Sequence, residues 1–229
     1  MNIFELTHKN IDRKYGKNGC SQRMDGTMKY NCTGVILAGG LSTRFHGKNK
    51  ALLQIHGKPI LQYIYEVYQA LFDEIILVTN NPLEYLDWDL EIVTDIFSIR
   101  SSMTGIHTGL FYAGHPYVFV TACDTPFVKR QLVETVLAGI GGNAEWIIPK
   151  TSLGMEPMCA VYAKQCLQNM ETCLRNEKFK IQKCLRKVPT KIISEKKLLE
   201  IDPELISFFN INTPEDLSRA ELLVQGGLP

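Results

Sequence analysis

Gly34-Val35-Ile36-Leu37-Ala38-Gly39-Gly40-Leu41-Ser42-Thr43-Arg44-Phe45-His46-Gly47-Lys48-Asn49-Lys50 decides how the rest of this chain is read. A short apolar run ends in the pair Gly39-Gly40. A polar, basic loop follows, and Ala51-Leu52-Leu53-Gln54-Ile55 begins a new apolar segment. In this layout a strand hands a backbone loop to a phosphate. The run from Gly34 to Ala38 is continuous rather than alternating, which predicts a strand buried on both faces, as in a parallel sheet.

Beyond Lys50, helices and strands alternate. After the turn His56-Gly57-Lys58, Pro59 stands at a first-turn position that needs no amide hydrogen. Ile60, Leu61, Ile64, Tyr68 and Leu71 then make a helical stripe. Glu74–Thr79 reads as the next buried strand, stopped by the turn signal Asn80-Asn81-Pro82. Glu91–Thr94 is a short strand ending at Asp95, residues 96–103 are a loop, and Thr104–Ala113 is a helix. Tyr117–Ala122, the most strand-prone run, ends at Cys123-Asp124-Thr125-Pro126, and a helix follows over Gln131–Leu137. The alternation predicts an α/β fold, a mostly parallel sheet flanked by helices. Ligands of such sheets sit beyond the carboxyl ends of the strands. Gly39-Gly40, Asn80-Asn81, Asp95 and Asp124 all fall at those ends.

The second half is less regular. Strands are expected at Glu145–Pro149 and Glu156–Tyr162, helices at Lys164–Asn176 and Lys180–Lys187, and an edge strand at Thr190–Ser194. Asn210-Ile211-Asn212 reads as a strand whose two asparagines share a side. Thr213, Pro214 and Asp216 spell the start of a capped helix. Residues 1–33 lack any sustained period and are expected to form a mobile polar extension, with a strand or helical turn at Ile3–Leu6; Met24 and Met28 offer alternative starts. Residues 34–229 are expected to be one domain.

The 229 residues carry a formal net charge of +1, with 45% hydrophobic and 21% charged residues, the make-up of a soluble globular chain. The near-zero balance gives no reason to expect a nucleic-acid surface. No apolar run is long enough to span a bilayer. The seven cysteines are odd in number and contain no Cys-x-x-Cys pair, so neither zinc spacing nor a disulfide framework is indicated, and a reducing cytoplasm is expected. His46, His56, His107 and His115 show no metal spacing.

The candidate chemistry lies in charges around the glycine loop. Glycines let the backbone approach closely. Arg44 offers a planar fork to phosphate oxygens, and Lys50 a compact charge for a transferred phosphoryl group. Solvated lysines on an ordinary glycine turn are the plainer alternative. Asp124 after a buried strand suits Mg²⁺, which takes one or two carboxylates together with substrate phosphates; a turn aspartate is the alternative there, and more so at Asp95. Glu156 before Pro157 suits an amino or hydroxyl group of an acceptor, or is simply an exposed acid at a strand start. Cys123 has no visible base beside it, so a covalent mechanism has no support.

These residues together resemble the nucleotidyltransferase family that includes molybdenum cofactor guanylyltransferase. The matching text is Leu37-Ala38-Gly39-Gly40-x-Ser42-x-Arg44-Phe45-x-Gly47-x-x-Lys50, then Leu52-Leu53, Gly57-Lys58-Pro59, Cys123-Asp124-Thr125-Pro126, Glu156-Pro157 and Asn210 to Asp216, in that order. The resemblance implies a Rossmann-like fold of nucleotidyltransferase type. It implies GMP transfer from GTP to molybdopterin cofactor with Mg²⁺, releasing pyrophosphate. It places Leu37, Ala38 and Gly39 on the guanine and ribose side, Arg44 and Lys50 on the phosphates, and Gly40, Asp95 and the turn Thr79-Asn80-Asn81 on the nucleotide. Asp124 would hold Mg²⁺, and Asn210 and Asn212 would face the acceptor or metal. It also implies transient contact with molybdoenzymes or cofactor-handling proteins.

Two places depart from the family pattern. Asn49 stands where aspartate is usual, and Ser101-Ser102-Met103-Thr104-Gly105 replaces a Gly-Pro-Leu-like turn. A cytidylyltransferase, a sugar-phosphate nucleotidyltransferase of the same fold, and a catalytically weak nucleotide-binding or cofactor-delivery protein stay open as alternatives.

Overall fold

The computed structural model describes residues 21–24, 27–40, 45, 47 and 49–227. Arg44 and the element expected at Ile3–Leu6 lie outside the described residues. Within the expected extension, β1 (Ser21–Met24) and β2 (Thr27–Tyr30) pair as an antiparallel hairpin. β3 (Thr33–Leu37) is buried along its whole length. β4 (Gln54–Ile55) and β5 (Lys58–Pro59) form a small hairpin that leads into α1 (Ile60–Leu71). Next come β6 (Ile75–Val78), β7 (Glu91–Val93), α2 (Ser102–Tyr112), β8 (Tyr117–Ala122) and α3 (Arg130–Leu137). The rest comprises β9 (Trp146–Thr151), β10 (Gly154–Met155), β11 (Cys159–Ala163), α4 (Cys166–Arg175), α5 (Ile181–Cys184), β12 (Thr190–Ser194), α6 (Glu195–Leu199) and α7 (Pro214–Gln225).

The main sheet runs β7-β6-β3-β8-β11-β9, with β10 and β12 both paired to β9. β3 lies parallel between β6 and β8, and β7 is parallel to β6. β11 runs antiparallel to both β8 and β9, and β12 closes the edge parallel to β9. Alternate residues of each strand feed opposite layers. Ile36, Leu77 and Phe119 pack with Leu61, Tyr68, Val133 and Val136 of α1 and α3. Val35, Ile76, Val118 and Val120 pack with Ile106, Leu110 and Met170 of α2 and α4. The central strand therefore has apolar partners on both faces, which is why its sequence does not alternate.

Helix α2 sits unusually close to β3. A Cβ on Gly109 would stand 2.6 Å from Val35 Cγ1, and one on Gly105 would stand 3.2 Å from Leu37 Cδ1. Glycine inside a helix costs conformational entropy; here it admits the close approach.

Several elements differ from the sequence reading. α2 starts at Ser102 rather than Thr104, because the Ser101 hydroxyl accepts from the Thr104 amide at 3.1 Å and caps it. Thr104 had no visible cap, whereas serine is among the best residues for that role. The segment expected over 51–55 splits into a 3₁₀ turn, Lys50–Leu52, and the two-residue β4. β11 starts at Cys159, since the Cys159 amide donates back to Glu156 O at 3.1 Å and makes residues 156–159 a turn. α5 is a single turn, and residues 210–212 form no strand.

Candidate active site

Strand pairing carries one step past the strand ends. Ala38 N donates to Val78 O at 2.8 Å, Thr79 N to Val93 O at 2.9 Å and Cys123 N to Leu37 O at 2.9 Å. Residues 38–40, 79–80, 94–95 and 123–124 thereby reach one edge of the sheet. A cavity of about 370 Å³ opens there. Leu37, Ala38, Gly39, Gly40, Asn49, Lys50, Asp95 and Asp124 line it, with Arg100, Ser101, Ser102 and Met158. A nucleotide-sized ligand needs a cleft of this order.

At one part of the cavity, Asn80 Nδ2 donates to Asp95 Oδ2 at 2.8 Å. Asp95 Oδ1 is buried and has no hydrogen-bond partner among the described residues. Burial pushes the Asp95 carboxyl above its ordinary range, opposed by the Asn80 bond and the charge of Arg100. A Cβ on Gly39 would lie 3.7 Å from Asn80 Nδ2 and 3.9 Å from Asp95 Oδ2, while one on Gly40 would meet nothing within 4 Å. Neither glycine takes a left-handed backbone. The pair serves by the space it leaves beside the cavity. Thr79 is buried behind them, its hydroxyl donating to Ala38 O at 3.3 Å and accepting from Asn81 N at 3.2 Å.

A second part is built around Lys50. The Asn49 side chain caps the 3₁₀ turn by accepting from Ala51 N at 3.0 Å. Lys50 Nζ then lies 3.2 Å from Asp124 Oδ2 and donates to Asn212 Oδ1 at 2.8 Å. Both charged side chains are about four-fifths removed from solvent, at 18% and 20% exposure. Asp124 Oδ1 is buried with no hydrogen-bond partner among the described residues. Two segments distant in the chain from Lys50 thus converge on one cation.

The C-terminal segment is tied down to deliver Asn212. Ile211 N donates to Asp124 O at 2.9 Å, and Lys129 N to Ser207 Oγ at 3.1 Å. Lys129 Nζ meets the buried Asp202 at 2.9 Å. Asp216 Oδ2 accepts from both Asn212 N and Thr213 N at 2.9 Å, completing the capping box foreseen at Thr213. Asn210 does not share this position. It is exposed, and its amide donates to Phe208 O at 2.9 Å. Without a strand there, the two asparagines have no reason to face one way.

Glu156 is half-buried in the turn before β11, where its Oε1 accepts from Thr151 Oγ1 at 2.9 Å; burial pushes its carboxyl up. Met158, two residues on, lines the cavity. Burial pushes the Cys123 thiol up to about 12, so it is a poor nucleophile at neutral pH. Arg44 lies outside the described residues. Arg100 and Met158 line the cavity without having been singled out in the sequence, and Tyr85, whose hydroxyl lies 2.7 Å from the Asn49 Nδ2 in the cavity wall, was not singled out either. Arg100 and Met158 each adjoin a flagged motif, so proximity in sequence was the available signal. Tyr85, in the turn after β6, carried none.

Residues 34–191 match the family model described as MobA-like NTP transferase domain. A molybdenum cofactor guanylyltransferase of Desulfosudis oleivorans is 42% identical over 195 residues, covering 85% of this chain and 96% of that protein. A probable molybdenum cofactor guanylyltransferase of Natranaerobius thermophilus is 37% identical, covering 84% and 96%. Among solved structures, molybdopterin-guanine dinucleotide biosynthesis protein A from Archaeoglobus fulgidus superposes with a TM-score of 0.75 at 31% identity, covering 85% of this chain and 99% of that one. A CMP:2-keto-3-deoxy-manno-octonic acid synthetase complexed with CTP, at 16% identity and TM-score 0.66, shares the fold.

Proposed function

Because the chain belongs to the MobA-like NTP transferase family, we infer that it is an enzyme that transfers GMP from GTP to molybdopterin cofactor, forming the guanine dinucleotide and pyrophosphate. The observation that carries this reading is the Lys50–Asp124 pair, 3.2 Å apart in the cavity wall beside the glycine turn.

In this reaction the acceptor's own phosphate attacks the α-phosphorus of GTP in line, and pyrophosphate leaves. The protein need supply no nucleophile, which agrees with the raised thiol of Cys123. Its task is to position two polyanions and neutralise charge. Lys50, held by Asp124 and Asn212, places a fixed cation where negative charge grows. Asp95 and Asn80, with the room left by Gly39 and Gly40, receive the nucleoside. We assign Asn212, which accepts from Lys50, to the acceptor side, together with Glu156 and the exposed Asn210.

The residues present fit Mg²⁺. Asp124 keeps one buried oxygen without a hydrogen-bond partner among the described residues, and a magnesium site of this kind needs one or two carboxylates besides substrate phosphates and water. When bound, the ion neutralises phosphate charge and aligns the triphosphate. Asp124 is the residue that would hold it. No helix among the described residues is long and apolar enough to cross a membrane; we place the reaction in the cytoplasm, with transient hand-over of product to molybdoenzymes or cofactor-handling proteins.

The rival is a protein that binds GTP and delivers cofactor without turnover. Asp124→Ala separates the two. The enzyme reading expects pyrophosphate release by the wild-type chain well above that control. GTP binding with no release above the control would establish the rival.

A further inference from the structure

Asn49 lines the cavity next to Lys50, and its side chain is held from two sides. Its Nδ2 donates to Glu84 Oε2. The Tyr85 hydroxyl lies 2.7 Å from Nδ2 and 3.0 Å from Oδ1. Oδ1 also accepts from Ala51 N at 3.0 Å and so fixes the turn that carries Lys50. Tyr85 is fully buried, and its turn, Pro82–Tyr85, follows β6. An amide both donates and accepts, so it satisfies a carboxylate and a backbone N–H together. An ionised aspartate at 49 accepts alone and would face Glu84 with like charge.

We propose that Tyr85 and Glu84 are positioning residues for Lys50, acting through the Asn49 amide, and that Asn49 and Glu84 are a matched pair. The inference rests on the transferase reading only for its kinetic readout. The buried ring anchors the amide, the amide caps the turn, and the turn aims the Lys50 stem at Asp124. Neither Tyr85 nor Glu84 is among the described residues that line the cavity, so their influence falls on the placement of charge.

The test is a double-mutant cycle with Asn49→Asp, Glu84→Gln and the combination, alongside Tyr85→Phe, which keeps the buried ring. Asn49→Asp is expected to lower kcat about tenfold, with KM for GTP within twofold, through loss of a donor and a new like-charge contact. Adding Glu84→Gln restores a donor opposite the new carboxylate, and kcat is expected to recover to within about threefold of wild type. Tyr85→Phe is expected to lower kcat about fivefold, the effect of one net hydrogen bond. Crystal structures of wild type and Tyr85→Phe read the Lys50 Nζ to Asp124 Oδ2 separation without any substrate. A lengthened separation supports the proposal. Additive losses in the cycle, or a separation that stays at 3.2 Å with kcat unchanged, overturn it. If wild type releases no pyrophosphate from any nucleotide, the transferase reading fails, and the crystallographic separation alone decides the positioning role.

Discussion

Lys50→Ala removes the cation on which two distant segments, at Asp124 and Asn212, converge. Its stability cost follows from what is left behind. Asp124 keeps one buried oxygen without a partner among the described residues, and its other oxygen loses an ammonium at 3.2 Å. Asn212 loses a donor at 2.8 Å. With Asp124 about one-fifth exposed, water reaches the carboxylate in part, so the loss lies at the lower end for a buried polar group, about 1–2 kcal/mol. That lowers Tm by about 5 °C in a chain of this size and leaves the protein folded at 25 °C. The catalytic cost is larger. A preorganised donor aimed at developing charge contributes about 10²–10³ in kcat. The assay is steady-state pyrophosphate release from GTP, paired with calorimetric measurement of cofactor docking. The expected outcome is a fall in kcat of at least a hundredfold with docking weakened far less. Equal losses in turnover and docking would show that Lys50 binds ground state and transition state alike, and would refute the role given to it.

Asp95→Asn keeps an acceptor for Asn80 but removes a charge that burial disfavours. Because the folded state raises this carboxyl, ionising it costs stability; that cost is absent below its ordinary range and is complete above its raised value. The variant is therefore expected to melt higher than wild type at neutral pH, with the gain vanishing toward pH 3, while GTP affinity falls; calorimetric melts across pH check both. Gly109→Ala drives a Cβ to 2.6 Å from Val35 and is expected to destabilise by about 1–3 kcal/mol in denaturant titrations. Gly40→Ala meets nothing within 4 Å and is expected to leave Tm unchanged while raising KM for GTP. Asp202→Ala strands Lys129 and frees the Ser207 amide, at a cost of about 3 kcal/mol. Burial alone would raise Asp202, but the Ser207 amide and Lys129 more than offset it and leave the carboxyl lowered, so its contribution holds above its ordinary range and is lost as pH falls through the lowered value; acid titration of wild type against the variant reads that window.

The parallel core was legible because buried strands such as β3 and β8 announce themselves as continuous apolar runs. The edge where they end was legible for the same reason: polar residues stopped each run, and strand pairing forced those stops together. The Thr213 capping box could be read because all its members lie within four residues. Asn210 and Asn212 could not be sorted from sequence, because Asn210 turns back to Phe208 O while Asn212 is set by Asp216 and Lys50, and no strand period governs either. Tyr85 stayed invisible because its partner Asn49 is 36 residues away and neither belongs to a periodic pattern. Ser101 was read as part of a loop, although its hydroxyl starts α2 at the cavity.

Transfer of GMP from GTP to molybdopterin cofactor is assigned to the cavity bounded by Gly39, Gly40, Asp95, Lys50 and Asp124. The most direct measurement is pyrophosphate release by the purified chain with Mg²⁺ and molybdenum-loaded cofactor, supplied in turn with GTP and with CTP. Release and the guanine dinucleotide product are expected with GTP, and little of either with CTP. Turnover with CTP and none with GTP would contradict that assignment.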